Sequence, residues 1–196
     1  MNNISSQSLV ALKELLYQVK GELSEFESLY SVLLERVESL ADKAERDELS
    51  GLLRRKAFFD RWHRLLDRCV ALGIESGVLI VDVDHFKKIN DTRGHAAGDE
   101  VIRQLGQILR RFESSGSIVG RYGGEEFVVA FSGGEERGLR ICSEIQNCLH
   151  SVGVTASFGV DVASVHQAPS LDRADGALYD AKRSGRNRAC VARREG

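Results

Sequence analysis

Two acidic points in the chain have the residue types and spacing for metal-dependent chemistry. The first is Gly77-Val-Leu-Ile-Val-Asp-Val-Asp84, an apolar run that ends in carboxylates at alternate positions. Side chains two apart leave the same face of an extended strand, so Asp82 and Asp84 share a side at the strand's end. Acids at the end of a buried strand are costly unless they are wet or bound to a cation. Their spacing is closer to that of metal ligands than to that of solubilising residues. The second point is Arg121-Tyr-Gly-Gly-Glu-Glu-Phe127, between the apolar runs 117–120 and 127–131. Two short runs separated by Gly-Gly read as a β-hairpin, with the glycines expected at the positive φ of a tight turn. Gly123 and Gly124 also leave the tip without side-chain bulk, so a phosphate or base can lie against the backbone. Glu125 and Glu126 repel each other, a cost that a divalent cation removes. A bare Gly-Gly-Glu-Glu is more often a solvated tip, so the site has to be supported from elsewhere in the chain.

If these strands are neighbours, their oxygens meet. Three or four oxygen ligands from two elements suit Mg²⁺, which finishes its octahedron with water and phosphate oxygens. Such a site polarises a phosphoryl group, activates an attacking hydroxyl and steadies a leaving pyrophosphate. Cations belong on the opposite flank of a triphosphate, and Lys87, Lys182 and Arg186 are the candidates. Lys182 and Arg186, four apart, share a face of a last helical turn. The basic segment 182–194, which includes Arg183, Arg188, Arg193 and Arg194, lacks the interleaved aromatics of a nucleic-acid surface. A formal net charge of −2 also argues against a general binder of nucleic acid or anionic membranes.

These groups need a scaffold, and 196 residues allow one well-cored domain plus an appendage. The appendage comes first. Leu9, Leu12, Leu16, Val19, Leu23, Phe26, Tyr30, Leu33, Val37, Leu40 and Ala44 form a heptad seam of about five repeats. Leu15, Leu29 and Leu34 widen it, so a homodimer is favoured over, but not separated from, a higher oligomer. A helix is then expected over roughly 54–72, a buried strand over 77–84 and a helix over about 98–113. After the hairpin come a helix at 135–150, a strand at 153–162, a helix at 170–184 and a last strand near 188–192. Helices alternate with strands while one pair is a hairpin, so the sheet must be mixed and the class α/β or α+β. Cys69, Cys142, Cys148 and Cys190 show no CxxC spacing and read as reduced, space-filling thiols. No run approaches the ~18 apolar residues of a membrane span, and the N-terminus lacks a signal-peptide pattern. A cytoplasmic protein with neither nucleic acid nor membrane among its partners is expected.

Asp82-Val-Asp-His-Phe-Lys-Lys-Ile-Asn-Asp91, Gly94-His95, Gly98-Asp99, Arg121–Phe127, Thr155-Ala-Ser-Phe-Gly159 and Ala174–Asn187 together resemble the GGDEF-domain diguanylate cyclases, in the GGEEF variant. The resemblance runs from about Asp47 to Val191, in several motifs in the right order. It implies a palm-like nucleotide-cyclase fold, a mixed five-stranded sheet surrounded by helices, with residues 1–47 as coiled coil and 48–196 as catalytic domain. It implies the reaction of two GTP to cyclic di-GMP and two pyrophosphates. It also implies two Mg²⁺ per site with GTP bound, Mn²⁺ being a substitute. Carried over by position, Asp82, the Val83 carbonyl and Glu125 resemble the metal ligands, and Glu125 the base for the 3′-hydroxyl. Glu126 resembles an assistant at the second metal, and Lys87 the cation that stabilises the transition state. Asn90 and Asp99 resemble the guanine readers, a role for which a carboxylate suits guanine N1–H and N2–H₂. His95 resembles a nucleoside contact, and Lys182 and Arg186 the triphosphate clamp.

The chain departs from the family pattern in two places. Arg54 stands in the opening segment where asparagine is usual, and Ser50 where threonine is usual. Ser114 and Ser117 occupy the positions of the Arg-x-x-Asp product-inhibition site, and serine cannot pair with a base or phosphate as arginine and aspartate do. Feedback inhibition through that site is therefore expected to be absent. Joining two GTP in a ring needs two domains face to face, so the helix is expected to dimerise the protein and to receive its upstream sensor or partner. A catalytically silent GTP or cyclic di-GMP receptor of the same fold is the alternative, and intact Asp82, Glu125, Lys182 and Arg186 argue against it. A coiled-coil interaction protein with an inert globular end is the other.

Overall fold

The computed structural model describes residues 6–164 and 167–193. The expectation at Arg194, and that for the Leu9 side chain, lies outside the described residues. The chain divides into two compact units, Met1–Ala44 and Glu45–Gly196.

The first unit is α1 (Ser6–Glu45), an unbroken helix of 40 residues, about 60 Å long. The seam residues from Leu12 to Leu40 are each more than half exposed, among them Leu16, Leu23, Phe26 and Leu33. Leu15 and Leu29 beside them are exposed as well. The seam is thus an uncovered apolar stripe in the single chain, and burying each such side chain is worth roughly 1.5–3 kcal/mol.

The second unit carries β1 (Leu53–Arg54), α2 (Arg55–Leu72), β2 (Ser76–Val83), α3 (Phe86–Arg93), α4 (His95–Arg110) and β3 (Ser117–Arg121). It continues with β4 (Glu126–Ser132), α5 (Glu135–Ser151), β5 (Ala156–Ala163), α6 (Leu171–Arg183) and β6 (Ala189–Val191). The strands form one mixed sheet in the order β1-β3-β4-β2-β5-β6. β2 lies inside, antiparallel to β4 and β5, while β1 runs parallel to β3 and β6 to β5. All eight residues of β2 are buried, as a strand covered on both faces requires. Val78 and Ile80 join Phe58, Trp62 and Leu65 of α2 and Leu178 of α6 in one cluster. Leu79, Val81 and Val83 join Ile102 and Leu105 of α4 and Ile145 and Leu149 of α5 in another. The two-residue alternation therefore assigns Asp82 to the side of α6. At Gly159 of β5, an added Cβ would lie 2.0 Å from the Ala174 carbonyl oxygen and 2.4 Å from the Leu178 nitrogen. That glycine brings α6 down onto the sheet.

The sheet has six described strands where five are expected. The extra one is β1, two residues long, pairing Leu53 with Gly120 and Arg54 with Arg121. It is too short to show a period. α3 was not anticipated either, and α4 starts at His95 because Gly94, at φ 82, breaks the chain between them. The four cysteines are free. Burial pushes the Cys142 thiol up to about 12 and raises that of Cys69, so neither is a reactive thiolate at neutral pH.

Candidate active site

β2 and β4 pair so that Asp82 stands opposite Glu126. One residue earlier, the Glu125 carbonyl accepts from the Val83 amide at 3.4 Å. The two acidic points of the sequence are thereby neighbours. Between β3 and β4 the hairpin turns through Tyr122–Glu125, and its tip is held from behind by Arg121. The Arg121 guanidinium donates to the carbonyls of Gly123 (3.2 Å) and Gly124 (2.7 and 3.2 Å), and to Asp47 Oδ1 at 2.8 Å. Burial works to raise the Asp47 carboxyl, but the Ser50 amide, Arg121 and the Ser50 hydroxyl outweigh it and hold it below its usual value. The expectation of positive φ in this turn is corrected, because neither Gly123 nor Gly124 takes one. With four turn residues the chain reverses without the left-handed geometry that a two-residue turn demands. The glycines matter for space instead. A Cβ at Gly123 would fall 2.7 Å from Glu126 Oε2, while one at Gly124 would meet nothing within 4 Å.

In front of the tip is a cavity of about 210 Å³. Asp82, Val83, Lys87, Glu125, Lys182 and Arg186 all line it, so six of the expected site residues come together in one space. Asp82, with a side chain only 10% exposed, accepts from Lys182 Nζ at 2.7 Å. Burial pushes the Asp82 carboxyl up; Lys182 pulls it back, and Glu125 and Asp84 push it up further. Glu126 is also raised, by burial first and then by the charge of Asp82. Lys182 is the cation paired with these acids, whose raised carboxyls favour further positive charge nearby.

Asp84 is not equivalent to Asp82. Its Oδ1 accepts from Ser157 Oγ at 2.7 Å, and its Oδ2 from Thr155 Oγ1 at 2.8 Å and the Asn187 amide at 3.0 Å. It is a brace that ties β2 to β5 and to the loop after α6, which corrects the reading of the two aspartates as alike. Three non-glycine residues among those described take left-handed backbone, His85 (φ 57), Arg186 (φ 63) and Asn187 (φ 49). For His85 and Arg186 this costs roughly 1–2 kcal/mol, and both line the cavity. Strain of this kind gathers at functional sites.

The remaining expected residues lie outside this cavity. Asn90 is in α3, and His95 and Asp99 are in α4. The two helices meet at Gly98, where a Cβ would sit 2.0 Å from Asn90 Oδ1. Asn90 thus lies over Gly98, the residue beside Asp99.

Among the described residues, no group of three or more His, Cys, Asp or Glu side chains gathers around a point that could hold a metal. Two carboxylates and a backbone carbonyl are instead what magnesium takes from a protein when a phosphate supplies the rest. The donors fit that ion, and the ammonium on Asp82 marks where positive charge is stabilised.

A second cavity measures about 400 Å³. Arg46, Arg61, Arg64 and Arg68 line it with Glu113, Ser114 and Ser117. Arg46 pairs with Glu113 at 3.0 Å and Arg61 with Glu45 at 2.7 Å. No helix among the described residues is long and apolar enough to cross a membrane.

A family model described as "Diguanylate cyclase, GGDEF domain" matches residues 44–188. Diguanylate cyclase DosC of Escherichia coli (strain K12) is 34% identical over 199 residues, which is 95% of this chain and 42% of that protein. The chain therefore spans less than half the length of that relative. The coiled coil and GGDEF domain of DgcB from Caulobacter crescentus, solved in complex with c-di-GMP, superposes with a TM-score of 0.70 at 29% identity, over 89% of this chain and 99% of that one. Diguanylate cyclase SiaD from Pseudomonas aeruginosa, solved with its activator SiaC, superposes with a TM-score of 0.77 at 27% identity, over 95% of this chain and 77% of that one.

Proposed function

The chain belongs to the GGDEF-domain diguanylate cyclase family, and from that premise we propose that it condenses two GTP into cyclic di-GMP. The observation that carries this reading is the single cavity shared by Asp82, Val83, Glu125, Lys87, Lys182 and Arg186. It gathers two acids and three cations, Lys182 already on Asp82, around a space that suits a nucleotide's phosphates.

In this reading Asp82, Glu125 and the Val83 carbonyl hold magnesium, or manganese in its place, two ions per site with GTP bound. An ion held there would supply Lewis acidity toward the α-phosphate and the incoming hydroxyl. Glu125 accepts the 3′-hydroxyl proton of one GTP as its oxygen attacks the α-phosphorus of the other. The bond from that phosphorus to the bridging oxygen breaks, and pyrophosphate leaves. A second transfer in the opposite sense closes the ring. Lys87 faces the charge that develops on the phosphate, Glu126 assists beside Asp82, and Lys182 and Arg186 hold the outer phosphates. Asn90 and Asp99 read guanine, His95 contacts the nucleoside, and Gly123 and Gly124 let it approach the backbone. Lys182 is paired with Asp82 here, and a metal ion that took over Asp82 would release that ammonium for the triphosphate. Residues 48–196 are the catalytic domain in this scheme. Residues 1–47 dimerise it and receive an upstream sensor or partner. The test is incubation with GTP and Mg²⁺ followed by chromatography, expected to show cyclic di-GMP with two pyrophosphates per ring. GTP recovered unchanged overturns the reading.

Two further outcomes follow from this assignment. Gly98→Ala should raise the KM for GTP about tenfold, with little change in thermal stability. Alanine is the better helix former, so the helix tolerates it, while the Asn90 amide must leave its place. An unchanged KM would remove Asn90 from guanine recognition. Cyclic di-GMP should not inhibit through the Arg-x-x-Asp positions, since Ser114 and Ser117 supply neither guanidinium nor carboxylate there. Initial rates measured against added product check this, and submicromolar non-competitive inhibition refutes it.

A further inference from the structure

Arg186 lines the catalytic cavity from a backbone conformation that arginine does not favour, and Asn187 beside it shares that conformation. Asparagine tolerates left-handed geometry better than most residues, while at Arg186 the backbone gains a bond from its amide to the Ala181 carbonyl of α6 at 3.0 Å. Something outside the loop must hold the pair. The Asn187 amide donates to Asp84 Oδ2 at 3.0 Å. Its backbone carbonyl accepts from Gln146 Nε2 at 2.6 Å, and its side-chain Oδ1 accepts from the same nitrogen at 2.9 Å. His150 Nε2 lies 2.9 Å from Asn187 Oδ1, a pairing that takes the Nε2–H tautomer. Gln146 and His150 are four apart on α5 and so present one face. None of Asn187, Gln146 and His150 lines the cavity, so they can affect a ligand there only through the residue they hold.

We propose that Asn187, clamped by Gln146 and His150 of α5 and tied to Asp84, is a positioning residue that fixes Arg186 for the outer phosphates of the nucleotide. The clamp joins a helix on one side of the sheet to the end of β2 and to the phosphate-binding turn. It would make affinity for the triphosphate, as distinct from the nucleoside, depend on two polar residues of α5. This rests on the functional reading above, which assigns the cavity to a nucleotide.

The test measures binding of a GTP analogue with a non-cleavable α–β linkage, and of GMP, to the full chain with Mg²⁺. Asn187→Ala should weaken the analogue about tenfold, which is 1.4 kcal/mol, and leave GMP within twofold. Gln146→Ala, a change on a helix surface that does not threaten folding, should weaken the analogue roughly threefold. In an Arg186→Ala background neither change should weaken it further, because the residue through which they act is gone. A merely structural role predicts equal losses for the analogue and GMP, and the same added loss without Arg186. Either result overturns the proposal, as does wild-type affinity in both single variants. A wild-type chain that binds neither nucleotide overturns the functional reading, and the clamp's role falls with it.

Discussion

Replacing Asp82 by asparagine, or Glu125 by glutamine, is expected to lower cyclic di-GMP formation by about a thousandfold or more, on the order of 4 kcal/mol of transition-state stabilisation. Neither amide can serve as an anionic metal ligand, and Gln cannot accept the hydroxyl proton. The two changes should part company in stability. Burial holds the Asp82 carboxyl above its ordinary value. A carboxyl raised in the folded state contributes stability that is full below its unfolded value and is lost as pH rises through the folded one. At neutral pH without divalent cations its charge is a liability, and asparagine removes it. The lost partner, Lys182, has a third of its side chain exposed, so solvent takes over much of its pairing. Asp82→Asn should therefore melt at or above the wild-type temperature in chelator at pH 7.5, and gain nothing from Mg²⁺ with a GTP analogue that stabilises wild type. A variant that melts lower and still turns over would remove Asp82 from the metal site.

Charging the seam of α1 should act on a different variable. Leu23 and Leu33 are 56% and 54% exposed in the single chain. With both changed to glutamate, the rate at low protein concentration should fall about a hundredfold, the scale by which a tether raises effective concentration. The specific rate should then climb with protein concentration, because two separate catalytic domains must now meet by diffusion. The melting of the second unit should not move, since neither side chain belongs to its core clusters. Sedimentation and a rate-against-concentration series check this together. A specific rate that stays at the wild-type level and independent of concentration would show that α1 does not bring the halves together.

The features that the sequence made legible are long and periodic. The α1 seam, the β2 run and the helix faces repeat often enough for spacing to reveal them. Asp82, Glu125, Lys87, Lys182 and Arg186 were recognisable by motif, and they do line one cavity. What stayed hidden is short or distant. β1 is two residues, and α3 only half-buries Phe86 and Ile89 against the core, so neither leaves a pattern. Asp84 and Asp82 look alike in a strand-end motif. Only the hydroxyls of Thr155 and Ser157, more than seventy residues on, make one of them a brace. The Lys182–Asp82 pair and the Gln146–Asn187 contacts likewise join residues far apart in sequence, and polar pairs carry no periodicity to announce them. Of the two reasons the sequence offers for the hairpin glycines, the left-handed turn fails and the spare volume stands, since both call for the same residue.

Arg121 ties both glycine carbonyls of the tip to Asp47, two residues past the last turn of α1. The lip of the cavity therefore hangs from the entry segment of its own unit through a single guanidinium, a linkage rod that bypasses the sheet.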